Sequence, residues 1–476
     1  MSKSIKVAVI GAGPAGITAA YQLSKEISTV DLYEAGASVG GLAKSVELWG
    51  QTVDIGPHRF FSSDTRVNSL WLEVVKEDYA MVNRLTRILY KNNLFYYPIK
   101  ALDALSKLGL FEAARCMLSF GMERIFPTRD KSTFEGWVRS RFGKRLYEIF
   151  FKTYSEKLWG IQCNELDADF AAQRIKKLSL WEAAKAALFG DKNKKHKTLV
   201  DEFAYPLEGT GMVYNRMENL IKEKGGNVLL KTPVKRVIVE GGVAKGLELE
   251  NGEVKYYDHI VSSMPLTLLV SRIDEAPQQI KNLNAQLRFR NTIIVFVEVD
   301  ATNLFEDNWL YVHSTDLRTG RITNFRNWVP QLYKDKTTSI LALEYWCYDE
   351  DNFWKWTDEK LNKLGEEEIR KTGLIGEAKI LHAHTYRIPR CYPVYSKGYK
   401  EILNPVEQYL SSIQHLHVIG RYGAFKYNNQ DHSILMGMLA AENILQQAGH
   451  NLWDINTDYE SYQESSVITK TGLVRK

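Results

Sequence analysis

The sequence predicts an α/β protein in which a nucleotide-binding domain of parallel strands is interrupted by a mainly helical domain and by a mixed or antiparallel β-sheet domain. Three observations predict it. The chain opens with a strand, a glycine-rich turn, a helix and a second strand that ends on an acid. A long stretch after that reads mostly as helix. Beyond residue 200 the pattern changes to alternating and continuous apolar runs of strand length.

The first strand is Lys6-Val7-Ala8-Val9-Ile10, and the turn is Gly11-Ala12-Gly13-Pro14-Ala15-Gly16. A helix begins at Ile17, and the second strand, Thr29 to Tyr33, ends at Glu34, 23 residues after Gly11. Strand, glycine turn, helix and acid at this spacing form the Rossmann-type dinucleotide fingerprint in its required context. Gly11 permits the tight turn, Gly13 lets the backbone approach a pyrophosphate, and Gly16 lets the helix pack on the strand. The helix N-terminus offers unpaired N–H groups and positive dipole to phosphates. Glu34 is placed to accept hydrogen bonds from a ribose. A second glycine pair follows in Val39-Gly40-Gly41-Leu42-Ala43-Lys44-Ser45. Lys44 either faces the phosphates or is a solvated surface lysine.

The nucleotide domain is expected at 1–64, with a mainly helical substrate or lid domain at 65–200. The nucleotide domain resumes at 201–275, a β-sheet substrate domain spans 276–400, and 401–476 returns to the nucleotide domain with a C-terminal tail. One helix is predicted from Asp103 to Phe126, ending before Pro127. Its apolar stripe, Leu105, Leu108, Leu110, Ala113 and Met117, reads as core packing rather than membrane docking. The basic run 190–197 reads as a solvated loop or as a lid over an anionic ligand. Strands are predicted at Val234 to Val239, Thr292 to Val299 and Ser339 to Tyr345, and a helix from Asp431 to Leu445.

At 476 residues the chain is long enough for two or three lobes. Its 62 basic and 57 acidic residues leave a net charge of +5, too mild to argue for nucleic acid but compatible with an anionic substrate met by local arginines. Four cysteines, Cys116, Cys163, Cys347 and Cys391, form neither a CxxC motif nor a disulfide framework. No apolar run reaches the ~18 residues of a membrane span, and Met1 to Ser4 runs straight into the first strand. A cytoplasmic protein with no integral membrane segment is expected.

Several constellations carry chemistry. Ile55-Gly56-Pro57-His58 follows a strand, and its glycine-proline turn lets backbone and His58 approach a flat ring; a satisfied structural histidine is the other reading. Tyr154 to Gly160, with Trp159, is followed by Arg174. An indole and a guanidinium suit a sugar-diphosphate pocket, because arginine grips such anions bidentately; a core tryptophan and a surface arginine would look the same. Arg321 begins a strand, and Tyr392 and Tyr427 add phenols. The run Asn429-Gln430-Asp431-His432-Ser433 starts a helix whose dipole suits negative charge. The pairs His382/His384 and His415/His417 lack carboxylate or cysteine spacing, so no metal is expected.

The second glycine pair after the ribose acid resembles FAD-binding proteins of the amine oxidase and protoporphyrinogen oxidase type. Gly56-Pro57-His58, the Tyr154-to-Gly160 run with Arg174, Gly320-Arg321-Ile322-Thr323, Tyr392-Pro393 and Gly420-Arg421 through Tyr427 stand in the same order as in UDP-galactopyranose mutases. The run Asn429 to Ser433 looks most like the eukaryotic form. The resemblance implies FAD, active when reduced, held by Gly11, Gly13, Ala15, Gly16, Glu34, Gly41, Leu42, Pro57, His58, Val234, Gly420, Arg421, Asn429, Gln430, Asp431 and Ser433. It implies a nucleotide-diphosphate sugar substrate, with reduced flavin N5 as nucleophile at the anomeric carbon and reclosure of the ring as a furanose. Arg174 and Arg321 would clamp the diphosphate, Tyr392 and Tyr427 would hydrogen-bond to it, and Tyr154 and Trp159 would shape the sugar site. His58, Arg174 and Arg321 are the catalytic candidates. No second GxGxxG is present for a nicotinamide, so NAD(P)H as reductant would bind transiently or reducing equivalents would come from elsewhere. A homodimer stays open, as do the sugar and the nucleotide. The FAD motifs alone equally fit an oxidase or desaturase acting on an amine, a porphyrinogen or an isoprenoid.

Overall fold

A computed structural model describes residues 5–97, 99, 101–169, 202–455 and 466–475. The chain divides into two compact units: Met1–Met81, Phe203–Arg288 and Lys400–Lys476 form unit 1, and Val82–Glu202 and Phe289–Tyr399 form unit 2. The fold class is the predicted one, a mixed α/β architecture of helices and several sheets with an interrupted nucleotide-binding unit.

Unit 1 is built on five parallel strands, in the spatial order Leu416–Val418, His259–Ser262, Lys6–Ile10, Thr29–Tyr33 and Asn227–Leu229. Val7, Ala8, Val9 and Ile10 are all buried, so both faces of the central strand are covered, as parallel strands require. Helix Pro14–Ser24 packs against Gln430–Gln446 so closely that a Cβ at Gly437 would collide with the Ala15 carbonyl oxygen. The strands Lys6–Ile10, Thr29–Tyr33, His259–Ser262 and Leu416–Val418 all deliver their carboxyl ends to one edge, where ligands of open α/β sheets bind. A hairpin, Ser45–Leu48 with Gln51–Asp54, a three-stranded antiparallel sheet that begins with Val234–Glu240, and a hairpin of Ser466–Thr469 with Gly472–Arg475 also belong to the unit.

Unit 2 is organised by a seven-stranded sheet in the order Ile380–Pro393, Phe289–Val299, Ser339–Cys347, Arg321–Asn324, Trp309–Val312, Thr86–Tyr90 and Asn93–Tyr96. Every pair is antiparallel except Trp309–Val312 with Thr86–Tyr90. One face presents Ile293, Val295, Ile322, Leu341, Leu343 and Tyr345, which pack with Leu361 and Ile369 of the helix Asp358–Lys371. Because strand side chains alternate, Thr292, Arg321, Glu344 and Trp346 fall on the opposite face. A second core, Ile88, Phe95, Ala104, Cys116, Ile149 and Phe150, binds the hairpin of 86–96 to the helices of 101–159. These hairpin strands lie inside the stretch read mostly as helix. The single helix predicted from Asp103 to Phe126 is two, Ala101–Leu108 and Leu110–Ile125, with Gly109 between them. Its apolar stripe is not all core: Leu108 packs inward, but Leu110 and Met117 are exposed. The pattern had been read as one continuous face, and the break at Gly109 turns the second helix outward.

Candidate functional site

In unit 1 the glycine turn is held by backbone. Gly11 has φ +92°, where a side chain is strained, and a Cβ there would collide with the Ser263 hydroxyl. A Cβ on Gly16 would run into the Gly11 carbonyl oxygen, so Gly16 serves helix–strand packing. Gly13 differs. Its φ is −71°, and the nearest atom to an added Cβ is Gly41 Cα at 3.8 Å. Nothing among the described residues requires a glycine there, which fits close approach by a pyrophosphate. Gly41 packs onto the same turn, its own Cβ position lying 2.9 Å from Gly13 Cα, and Leu42 sits in the short helical turn Gly41–Ala43. Glu34 accepts hydrogen bonds from Ala12 N at 2.8 Å and Gly36 N at 2.7 Å, which fixes its carboxylate beside the turn. Lys44 Nζ reaches Ser38 Oγ at 3.3 Å.

The His58 loop meets the second helix N-terminus in the same unit. His58 O accepts hydrogen bonds from Thr210 Oγ1 at 2.8 Å and Gln430 Nε2 at 3.3 Å. Gln430 Oε1 accepts from the Tyr214 hydroxyl at 2.7 Å. Asp54, wholly buried, takes hydrogen bonds from Ser45 Oγ, Tyr205 Oη and Thr210 N, and burial pushes its carboxyl up to about 6 against those bonds. It therefore ties the turn that bears Pro57 and His58 to Thr210. Asn429 caps helix Gln430–Gln446 with no side-chain hydrogen bond, and Gly13 caps Pro14–Ser24 likewise. Two helix starts thus keep backbone N–H groups available to an anion. A Cβ at Gly420 would lie 3.0 Å from Ala15 Cβ, which brings the stretch after Val418 against the glycine turn. Arg421 stacks over the Tyr427 ring at 4.5 Å and donates to Asn428 O at 2.9 Å. His432 Nδ1 lies 2.8 Å from Asp431 Oδ1, and Ser433 is buried in the helix's first turn. Val234 is buried at the start of its strand. The open space at Gly13, the two uncapped helix starts and the fixed Glu34 suit a dinucleotide such as FAD.

Unit 2 gathers a different set. Arg321 Nε donates to Glu344 Oε1 at 2.6 Å, its Nη2 to Glu344 Oε2, and Nη2 also reaches Tyr392 Oη at 3.3 Å. Burial disfavours the charge on Arg321, but the adjoining Glu344 carboxylate more than offsets this and holds its pKa well above the ordinary value. The pair's side chains are 13% and 2% exposed, so both charges are out of water. Among the described residues these bonds engage Nε and Nη2, and none is found for Nη1. Tyr392 meets Trp159 edge-on at 6.2 Å and Trp346 at 6.3 Å. Tyr154 meets Trp346 at 5.8 Å and stacks on His313 at 5.2 Å. Tyr154, Trp159, Arg321 and Tyr392 therefore form one cluster, while Tyr427 belongs to unit 1. Arg174 lies outside the described residues, as does the basic run of 190–197.

Sequence reading missed the groups that hold this cluster. Arg290 is buried, and its guanidinium donates to Leu158 O at 3.1 Å, Lys157 O at 3.2 Å and Trp346 O at 2.7 Å. It thereby satisfies the end of the helix Thr153–Trp159 and fixes the backbone of Trp346, while Tyr348 Oη donates to Trp159 O at 2.7 Å. Lys157 donates to Val312 O, Ser314 O and Thr319 O, and burial lowers it to about 8. Burial and then the Lys157 charge push His313 down to about 3, so it is neutral. One signal was available: Glu344 is a lone charge inside the continuous apolar strand Ser339–Cys347, and a buried charge needs a partner.

The other histidine pairs also acquire neighbours. His382 Nδ1 lies 2.8 Å from Glu298 Oε2. His417 Nε2 lies 3.3 Å from His259 Nδ1, and the His415 ring stacks on His259 at 4.7 Å. Among the described residues no group of three or more His, Cys, Asp or Glu side chains could hold a metal ion. No helix among them is long and apolar enough to cross a membrane.

A probable UDP-galactopyranose mutase from Klebsiella pneumoniae is 29% identical over 172 residues, 34% of this chain and 43% of that protein. A 4,4'-diapophytoene desaturase from a Methylomonas species is 24% identical over 280 residues, 55% of this chain and 54% of that protein. The chain thus spans about half the length of these curated relatives. Its fold matches the crystal structure of a reduced UDP-galactopyranose mutase with a TM-score of 0.82 and 21% identity, over 96% of this chain and 98% of the other. The model of the flavin-containing amine oxidoreductases matches residues 14–445. The chain is a member of the flavin-containing amine oxidoreductase family.

Proposed function

We propose that the protein is a redox-neutral pyranose–furanose mutase acting on a nucleotide-diphosphate sugar, with FAD as its cofactor. The observation that carries this reading is the cluster in which Arg321 and Tyr392 of the sheet meet Tyr154 and Trp159 of the helix Thr153–Trp159, a cation and two phenols set beside indoles. Reduced FAD, when bound, supplies the nucleophile for the anomeric carbon. Gly13, Glu34 and the starts of the helices Pro14–Ser24 and Gln430–Gln446 hold its phosphates, ribose and ring. Arg321 offers its Nη1 edge to a phosphate, and the Tyr392 hydroxyl adds a second hydrogen bond. Trp159 and Tyr154 exclude water from the sugar. Arg174 is assigned the second guanidinium contact and Tyr427 a further hydroxyl. His58 is assigned to the flavin ring, where its main chain is already held by Thr210 and Gln430.

A second reading, net oxidation or desaturation of an organic substrate, is favoured by one observation: Glu344 already neutralises Arg321. One experiment separates the two. The dithionite-reduced protein is incubated with UDP- and dTDP-hexoses, and products are resolved by chromatography and NMR. The mutase reading expects furanose product without consumption of reductant. Failure to turn over any sugar nucleotide, together with anaerobic bleaching of oxidised flavin by an amine, porphyrinogen or isoprenoid, would establish the oxidase.

A further inference from the structure

The helix Leu110–Ile125 carries an apolar face that points away from its own unit. Leu110, Phe111, Met117, Leu118, Met122 and Ile125 are 61–91% exposed, and Phe126 just beyond is 74% exposed. With Ala114 and Gly121 these residues recur every three and four positions, so they make one continuous stripe along the helix. Exposed apolar surface of this extent on a monomer marks a docking face. Charge is sorted around it. Helical geometry puts Arg115 on one border of the stripe and Arg124 on the other. Both acids of the helix lie on the inner side. Glu123 is buried and accepts from Thr128 N at 2.5 Å, and Glu112 pairs with Arg145, with Arg115 also 3.4 Å away. Exposed Arg129, Asp130 and Lys131 follow the apolar end of the helix, with Asp130 paired to Lys397 at 3.1 Å.

We propose that this face binds the surface of an anionic lipid bilayer, with the helix lying flat in the interface. The apolar stripe enters the acyl boundary while Arg115 and Arg124 meet lipid phosphates on either side. A second copy of the chain fits the same face poorly. Antiparallel self-pairing of two such helices would bring each arginine towards its own copy, with only Glu112, beside Arg115, to compensate. The inference does not depend on which reaction the flavin supports. It places the protein at a membrane surface.

The test uses the full-length flavin-loaded protein and sedimentation with vesicles of 3:1 phosphatidylcholine and phosphatidylglycerol, beside vesicles of phosphatidylcholine alone. The wild type is expected to sediment with the anionic vesicles and more weakly with the neutral ones. Leu118→Glu with Ile125→Glu is expected to weaken binding at least tenfold, and Arg115→Gln with Arg124→Gln to remove the preference for anionic lipid. Unchanged flavin absorbance and melting temperature show that the variants are folded, since the substituted side chains project into solvent. Absence of binding to anionic vesicles, or binding that the apolar substitutions leave unaltered, overturns the proposal. So does a dimer in light scattering that Leu118→Glu with Ile125→Glu dissociates, which would assign the face to a second copy.

Discussion

Arg321 and Glu344 stand directly opposite one another in the register of neighbouring antiparallel strands, and their side chains close a two-pronged ion pair in the interior of unit 2. The pair leaves the guanidinium one donor edge, with its planar fork oriented by the carboxylate before any ligand arrives. Such orientation reduces the ordering that binding must otherwise impose. The same carboxylate also cancels the charge that an anionic substrate would meet.

Glu344→Gln and Glu344→Ala separate these effects. Removing the carboxylate leaves a buried guanidinium without its counter-charge, and the alanine variant is expected to lose about 3–5 kcal/mol in urea unfolding. Glutamine keeps one acceptor oxygen and should lose less. If Arg321 contacts the diphosphate, UDP binds the reduced glutamine variant more tightly than wild type in calorimetry. An unchanged affinity would assign Arg321 to structure alone.

Gly13 and Gly16 should behave differently when changed to alanine. Gly13→Ala meets no protein atom within 3.4 Å and keeps an ordinary φ, so the flavin-stripped protein should melt at the wild-type temperature. Its FAD affinity, measured by recovery of flavin quenching, should fall tenfold or more. Gly16→Ala should lower the melting temperature of the stripped protein as well, because the new methyl has no room beside the Gly11 carbonyl.

His417 makes stability depend on pH. Burial, then the neighbouring His259 and His415, lower it to about 4, and His259 is lowered too. Between about pH 6.5 and pH 4 the unfolded chain binds a proton that folded His417 refuses. Its contribution is therefore fully present above pH 6.5 and is lost as pH falls towards 4, at about 1 kcal/mol per pH unit. Asp54, raised to about 6, acts in the opposite sense. The contribution is thus read as the difference between wild type and His417→Gln in how the urea-unfolding free energy changes from pH 6.5 to pH 5. Parallel pH dependence in the two proteins would remove His417 from the account.

Arg290→Met tests the support of the aromatic cluster. The substitution keeps much of the stem volume but leaves the carbonyls of Lys157, Leu158 and Trp346 without their common donor. A loss on the order of 3 kcal/mol in unfolding free energy is expected. Arg290→Lys should recover part of it, since an ammonium can satisfy some of the three carbonyls but lacks the planar fork.

The sequence by itself determined what short-range chemistry specifies. The run Lys6 to Ile10, the glycine turn and Glu34 fall within about thirty residues, and their strand, turn and helix signals agree with one another. Strands such as Phe289–Val299 and Ser339–Cys347 were legible for the same reason, since apolar length and turn residues are local. Tertiary structure alone decided which of their side chains meet. Arg321 finds Glu344 only through strand register, and a slip of one residue would turn either charge to the opposite face. Arg290 reaches the end of the helix Thr153–Trp159 across more than a hundred residues of sequence. The exposed face of Leu110–Ile125 likewise has the same apolar pattern as a buried one, because periodicity records which residues share a face and not what that face is packed against.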